Sequence, residues 1–146
     1  VSTSVMANLA SDSVPYLSTA QIQALTTTQI SSLLTTQIPR LSNEQIIKLT
    51  TDQISGLTTS QIPTLTGDQI SSFENEDLAQ LTSTQIQAFT GPQLSNLTGN
   101  QITSLSTDQL SSITTAQSGS ITVDQISALQ ATYATSDLPA WAQVTL

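Results

Sequence analysis

Leu49-Thr50-Thr51-Asp52-Gln53-Ile54-Ser55-Gly56-Leu57-Thr58 contains one complete unit of a pattern that returns every eight residues through most of the chain. The pairs Gln-Ile and Gln-Leu mark these octads, and they begin at Gln21, Gln29, Gln37, Gln45, Gln53, Gln61, Gln69, Gln85, Gln93, Gln101, Gln109 and Gln125. A fixed short period is typical of proteins whose repeats bury their apolar side chains only against neighbouring repeats.

Each octad carries two devices that start a helix. Thr50 followed three residues later by Gln53 has the spacing of a capping box, in which each side chain bonds the backbone N–H of the other residue. Leu49 and Ile54 have the spacing of a hydrophobic staple across the same helix start. Asp52 fits this interpretation, because the first turn of a helix favours negative charge. The octad therefore predicts a short helix beginning at Thr50.

The short distance between caps predicts a solenoid. Only about six residues separate successive caps, whereas an isolated helix needs roughly 12 to 15 residues to be even marginally stable in water. Burial of the Ile and Leu of each octad against neighbours must then supply the stability, at roughly 1.5 to 3 kcal/mol for each side chain. We therefore expect an all-α solenoid of very short capped helices, with one helix per eight-residue repeat.

A β-solenoid is the alternative, because Thr and Ile favour strands and regularly spaced small residues can mark corners. Ile54 and Leu57, however, are three residues apart, so a strand would point them to opposite faces. Pro39 and Pro63 each follow the Ile of an octad, where proline would remove a backbone donor. In the helical interpretation we expect those helices to end or become 3₁₀ at the prolines.

A weaker pattern of sixteen residues overlies the octad. Leu78, Leu94 and Leu110 replace Ile at alternate octads, and Phe73 and Phe89 are also sixteen residues apart. This alternation predicts two octads per coil.

The composition favours a thin apolar core and a neutral polar surface. Hydrophobic residues make up 37% of the chain, aromatic residues 3% and charged residues 8%, and the net charge is −8. Arg40 and Lys48 are the only basic residues, which argues against nucleic-acid binding because that needs cations to neutralise phosphates. No apolar stretch approaches the roughly 18 residues of a membrane span.

The sequence divides into one repeat domain with two atypical ends. Residues 1–17 form an N-terminal end unit, residues 18–130 the octad array, and residues 131–146 a C-terminal segment in which the period is lost after Leu129. The C-terminal segment is either a folded-back cap or a tail that docks on the open end of another molecule. The apolar residues expected to serve such an interface are Val5, Met6, Leu9, Tyr16, Tyr133, Leu138, Trp141, Val144 and Leu146.

The segment Phe73-Glu74-Asn75-Glu76-Asp77-Leu78 keeps the period while replacing the cap Thr by Glu74 and the Gln by Asp77. Glu74, Glu76 and Asp77 are a candidate site for Ca²⁺, which takes six to eight oxygen ligands. No Asp-x-Asp-x-Asp-Gly loop accompanies them, and the competing interpretation is an acidic helix N-terminus.

Catalysis is not expected, and neither is a cofactor. With no His and no Cys, the chain lacks an imidazole base, a thiolate nucleophile and the usual ligands of zinc. The acidic residues are scattered singly at helix starts, and no glycine-rich phosphate loop is present.

The Leu-Thr-x-x-Gln-Ile octads resemble the tandem repeats of large secreted or surface-anchored bacterial proteins, such as repeat-rich adhesins and extracellular matrix proteins. The resemblance covers roughly residues 18–130 and implies an extracellular or cell-surface location and a scaffold or spacer role. We therefore expect a filament protomer, stalk or spacer that self-associates head to tail through its apolar ends. The alternative is a binding module whose regular Thr/Ser/Gln face recognises a polysaccharide or another periodic surface.

Overall fold

Short helices follow one another from end to end in the computed structural model, which describes residues 2–146. The α-helices are α1 (Thr3–Asn8), α2 (Thr19–Gln23), α3 (Thr27–Ser31), α4 (Asn43–Ile47), α5 (Thr51–Ser55), α6 (Gly67–Ser71), α7 (Asn75–Ala79), α8 (Ser83–Ala88), α9 (Gly91–Ser95), α10 (Gly99–Ser104), α11 (Thr107–Ser112), α12 (Thr115–Ser118) and α13 (Val123–Thr132). Segments of 3₁₀ helix occupy Ser11–Tyr16, Ile38–Arg40, Ile62–Thr64, Thr135–Asp137 and Ala140–Ala142. The part of the chain that the structure describes has no strand, so the all-α prediction is confirmed and the β-solenoid is excluded.

The predicted capping box starts most of these helices. In α5, the Thr50 side chain accepts from the Gln53 N–H at 3.3 Å, and Gln53 Oε1 accepts from the Thr50 N–H at 2.9 Å. The same reciprocal pair begins α2, α3, α4, α6, α8, α9, α10, α11, α12 and α13. A helix of five residues has almost no intrahelical hydrogen bonds, so these caps satisfy amides that would otherwise lack partners.

The prolines change the helix type as predicted. Pro39 and Pro63 each lie in a short 3₁₀ segment rather than an α-helix, and Pro15 lies in another. Pro39 and Pro63 lie in the first turn of their segments, where a backbone N–H would have no helical acceptor, so the missing donor costs little there. The three prolines are 24 residues apart, and the segments Ser11–Tyr16 and Ile38–Arg40 contact each other.

Neighbouring coils stack so that helices three octads apart lie side by side. Helix α5 contacts α7, α7 contacts α10, and α10 contacts α13. Hydrogen bonds between coils, described below, join residues 28 and 31 positions apart. One turn of the solenoid therefore takes between three and four octads. The prediction of two octads per coil was wrong, because the Ile/Leu alternation does not determine how far each helix turns relative to the previous one.

The core is a continuous column of Ile and Leu side chains inside the coil. Residues in both octad columns are buried, from Met6 and Val14 at one end to Ile126 and Leu129 at the other. Phe73 and Phe89 take Leu positions in the same core. Each coil thus packs on the next through apolar side chains, as the period requires.

The molecule is a short, stout cylinder rather than a slender rod. Its accessible surface is 7047 Å², close to the roughly 7,200 Å² expected for a globular monomer of this mass. About five coils at a helix spacing of 8 to 10 Å give a height of roughly 40 to 50 Å. In residues 2–146, no helix is both long enough and apolar enough to cross a bilayer.

Candidate functional site

The column of Gln side chains is the main polar feature of the solenoid interior. Gln69 is 2% exposed. Its Oε1 accepts from the Thr66 N–H at 3.0 Å, while its Nε2 donates to the Ile38 carbonyl at 2.9 Å and to the Leu41 carbonyl at 2.8 Å. One amide therefore caps its own helix and also bonds the coil before it.

The same arrangement recurs along the chain, and we call it the glutamine ladder. Its members are the Gln residues whose Nε2 donates to carbonyls of the preceding coil, namely Gln37, Gln45, Gln53, Gln61, Gln69, Gln85, Gln93, Gln101, Gln109, Gln117 and Gln125. The sequence pattern predicted the capping half of this role. It did not predict the bonds between coils, because their acceptors lie 28 to 31 residues away.

Tyr133 continues the ladder beyond the last Gln. It lies eight residues after Gln125, and its hydroxyl is 2.7 Å from the Leu105 carbonyl and 2.9 Å from the Thr103 carbonyl. The prediction that the period ends after Leu129 was therefore wrong for this column. The spacing of eight residues from Gln125 could have indicated this position. It was missed because Tyr and Gln resemble each other only in having a polar group at the end of a long side chain.

Asp77 interrupts the ladder. Its carboxylate accepts from the Thr51 hydroxyl at 2.9 Å, and it has no N–H to offer the carbonyls of Ile46 and Leu49. Burial raises the pKa of Asp77, and the nearby charges of Glu74 and Glu76 act in the same direction, while the hydrogen bond from Thr51 opposes them. An acid in this position therefore costs stability when it is ionised.

The structure does not gather the three acids of this octad into a calcium site. Asp77 is buried and points at Thr51, whereas Glu74 and Glu76 are exposed. Within residues 2–146, no group of three His, Cys, Asp or Glu side chains is arranged to hold a metal ion. Glu74 also makes no side-chain cap bond at the start of α7.

The N-terminal end of the solenoid is concave. A cavity of about 340 Å³ opens there, and its lining consists of Val5, Met6, Leu9, Leu17, Gln21, Ala24, Leu25 and Gln29. We call it the N-terminal pocket. Within residues 2–146, no carbonyl accepts from Gln21 Nε2 or Gln29 Nε2, since the first ladder bonds are those of Gln37 to Met6 and Leu9.

The C-terminal end is covered by the chain itself. Leu138 and Ala142 are buried against the last coil. Gln130 Nε2 holds this segment by donating to the carbonyls of Ala142 and Val144, at 2.9 and 2.7 Å. Trp141 packs against the core, and its buried Nε1–H has no acceptor among the described residues.

The residues predicted for an apolar interface are divided by their exposure. Met6 and Leu138 are buried; Leu9, Tyr133 and Trp141 are partly buried; Val5, Tyr16, Val144 and Leu146 are exposed. Four members of the set are thus available at the surface, two near each end. Val1, the first residue of the predicted N-terminal end unit, lies outside the described residues.

The fold and the ladder define a class, that of tandem-repeat proteins built as all-α solenoids of octads. Within that class, the chain belongs to the ALTTAQ repeat family, whose pattern matches residues 6–43 and 70–107, just over half the chain. The stretch Ala24-Leu25-Thr26-Thr27-Thr28-Gln29 follows the letters of that description closely, and it contains the staple Leu, the cap Thr and the Gln of the capping box. Comparisons with curated proteins and with solved structures gave no match.

Proposed function

We propose that this protein is a structural component of the cell exterior, a building block of a filament, stalk or spacer rather than an enzyme. The observation that carries the proposal is the glutamine ladder. It joins coil to coil with paired hydrogen bonds from Gln37 to Gln125, interrupted at Asp77, beside a continuous apolar core. Such a stack grows by adding equivalent coils, and its stability comes from contacts between neighbours.

The dimensions of the molecule support assembly of several copies. A single chain is only roughly 40 to 50 Å tall, so a filament or a long stalk needs further coils stacked on its ends. The two ends differ, because one has an open pocket and the other is covered by a folded segment. Contacts between unlike ends give linear filaments when the rotation from one copy to the next does not close a ring.

Electron microscopy of the purified protein across a dilution series tests this function. We expect particles of uniform width whose length increases with protein concentration. Compact particles of one size at every concentration would contradict the filament and leave a short spacer. Protease treatment of intact producing cells tests the location, and full protection of the chain would contradict an exterior role.

A binding module is the second candidate, and the alignment of the coils favours it. Because helices 24 residues apart lie side by side, exposed first-turn positions form rows along the cylinder, such as Asp52, Glu76, Asn100 and Asp124. Regular rows of polar groups are the geometry that a periodic partner such as a polysaccharide requires. Retention on insoluble glycans, followed by elution with the soluble sugar, would favour this candidate over the structural one.

A further inference from the structure

The N-terminal pocket has the same composition as the surface that each inner coil presents to the coil before it. Inside the solenoid, every ladder Gln meets two backbone carbonyls and the apolar side chains of the preceding coil. At the N-terminal pocket the Gln21 amide and the apolar wall formed by Leu17 and Leu25 are present, but the described residues supply nothing to fill them. The missing half must therefore offer apolar side chains and free carbonyls.

The opposite end of the molecule carries a segment with those properties. Val144 is 45% exposed and Leu146 is 56% exposed, although Leu138 and Ala142 just before them are buried. Gln130 holds the Val144 carbonyl, which anchors the segment to the last coil and leaves the apolar side chains of Val144 and Leu146 partly in solvent. Residues 144–146 have no helical hydrogen bonds, so the Thr145 carbonyl is free to accept.

Charge does not oppose contact between the two ends. The chain has a net charge of −8, so two copies repel each other wherever their acids meet. The pocket lining and residues 143–146 contain no charged side chain. Asp12, in the 3₁₀ segment Ser11–Tyr16, is paired with Arg40 at 3.0 Å. Docking through these surfaces thus avoids the acidic sides of the cylinder.

We propose that the N-terminal pocket binds the Val144–Leu146 segment of a second copy of this chain. Val144 and Leu146 fill the apolar pocket, and Gln21 Nε2 donates to a backbone carbonyl of the incoming segment, as the ladder Gln residues do within the chain. The contact joins unlike ends and repeats from copy to copy. This inference rests on the proposed filament function and identifies the surfaces that would form it.

Disulfide trapping tests which ends meet. The chain has no cysteine, so introduced thiols have no native competitor. V5C is mixed with ¹⁵N-labelled L146C under copper-phenanthroline oxidation, and mass spectrometry identifies mixed dimers. We expect at least tenfold more mixed dimer than from V5C with S71C, whose thiol lies on an exposed position in the middle of the cylinder. Equal yields would overturn the proposal, and so would a preference for V5C joined to V5C.

Sedimentation of a second pair of variants separates this contact from the filament itself. V144S/L146S should weaken self-association at least tenfold, whereas V123S, which alters an exposed apolar residue on α13, should leave it unchanged. Both replace exposed side chains, and circular dichroism verifies their folding. If the wild type assembles and V144S/L146S assembles equally well, the docking site is wrong while the filament stands. If the wild type stays monomeric at every concentration, the docking site and the filament are both wrong.

Discussion

Glutamine is the side chain that the interior polar column requires, because its amide must both accept and donate. Oε1 receives the N–H of the cap residue, and Nε2 has two hydrogens for two carbonyls of the preceding coil. Glutamate keeps the acceptor and loses the donors, and asparagine is one methylene shorter. A capping box alone accepts Glu as readily as Gln, so the preference for Gln comes from the contact between coils.

Replacing a ladder Gln by Glu should therefore destabilise the fold far more than the loss of a cap would. For Gln69→Glu we expect the free energy of unfolding at pH 7 to fall by about 3 kcal/mol, since two carbonyls lose their donor and a carboxylate is buried. Chemical denaturation measures the change.

Gln21→Glu is the matched control for this substitution. Gln21 has the same capping box with Ser18 but is exposed, and it has no bond to a preceding coil among the described residues. Its replacement should change the stability by less than about 0.5 kcal/mol. Equal effects of the two substitutions would contradict a role for Nε2 between coils.

Asp77 is the position where the ladder can be repaired. Asp77→Gln restores a donor for the carbonyls of Ile46 and Leu49 and removes a buried acid, so we expect the variant to be more stable than the wild type at pH 7 by about 1 to 3 kcal/mol. Thermal and urea unfolding measure the gain. Glu76→Gln, at an exposed site in the same helix, should increase the stability much less than Asp77→Gln does.

The raised pKa of Asp77 sets the pH dependence of that gain. The folded state holds the Asp77 proton more tightly than the unfolded state, whose pKa is near 3.8. The resulting contribution to stability is present in full below the unfolded pKa and is lost as the pH rises through the folded value. The advantage of Asp77→Gln over the wild type should therefore be largest near pH 7 and shrink toward pH 3.5. An advantage that is constant with pH would contradict the burial of an ionised Asp77.

At the scale of elements, the helices depend on caps and on close approach between coils rather than on their own length. Helices of five residues cannot persist alone in water. Gly91 and Gly99 each occupy the first position of a helix, α9 and α10, and they differ in what lies opposite. A methyl group at Gly91 would lie 2.9 Å from Ser120 Cβ, whereas at Gly99 it would lie 3.8 Å from Ala128 Cβ.

These two glycines make a matched pair for measuring the coil spacing. We expect Gly91→Ala to destabilise the protein by about 1 to 3 kcal/mol, because the two coils must separate locally to admit the methyl group. Gly99→Ala should stabilise it by about 0.5 to 1 kcal/mol, because alanine reduces the freedom of the unfolded chain. Urea denaturation of both variants checks the signs, and two gains of similar size would show that the coils are looser here than the contact distances indicate.

At the scale of the whole molecule, stability should vary along the cylinder because each coil contacts only its neighbours. The central helices have ladder bonds both to the preceding coil and from the next one, as α6 does through Gln69 and Gln101. Helix α1 has only the bonds it receives from the second coil. Local opening should thus be easiest at the N-terminal end.

Hydrogen exchange of the monomer at low protein concentration measures this gradient. We expect amides of α1 to exchange at least a hundredfold faster than those of α6 and α9, with the C-terminal coil intermediate because residues 138–142 cover it. Uniform protection from α1 to α13 would indicate that the whole cylinder opens in one cooperative step.

The octad itself determined the local structure, since its signals act over three to five residues. Thr50 and Gln53 cap one helix, Leu49 and Ile54 close its first turn, and Pro39 and Pro63 change the helix type wherever they occur. These interactions form within a single octad, so the pattern predicts them at each repeat. The all-α fold and the short helices were predictable for this reason.

The tertiary structure alone decided how many octads form a coil, what Gln Nε2 binds and how each end is finished. An eight-residue period keeps Ile and Leu in register for any number of octads per turn, so the pattern does not distinguish two from three or four. That number depends on the angle between successive helices, which results from many weak packing contacts between residues about 28 positions apart. The same angle determines which residues face the carbonyls of the preceding coil. It therefore decides that Tyr133 continues the ladder and that Asp77 interrupts it.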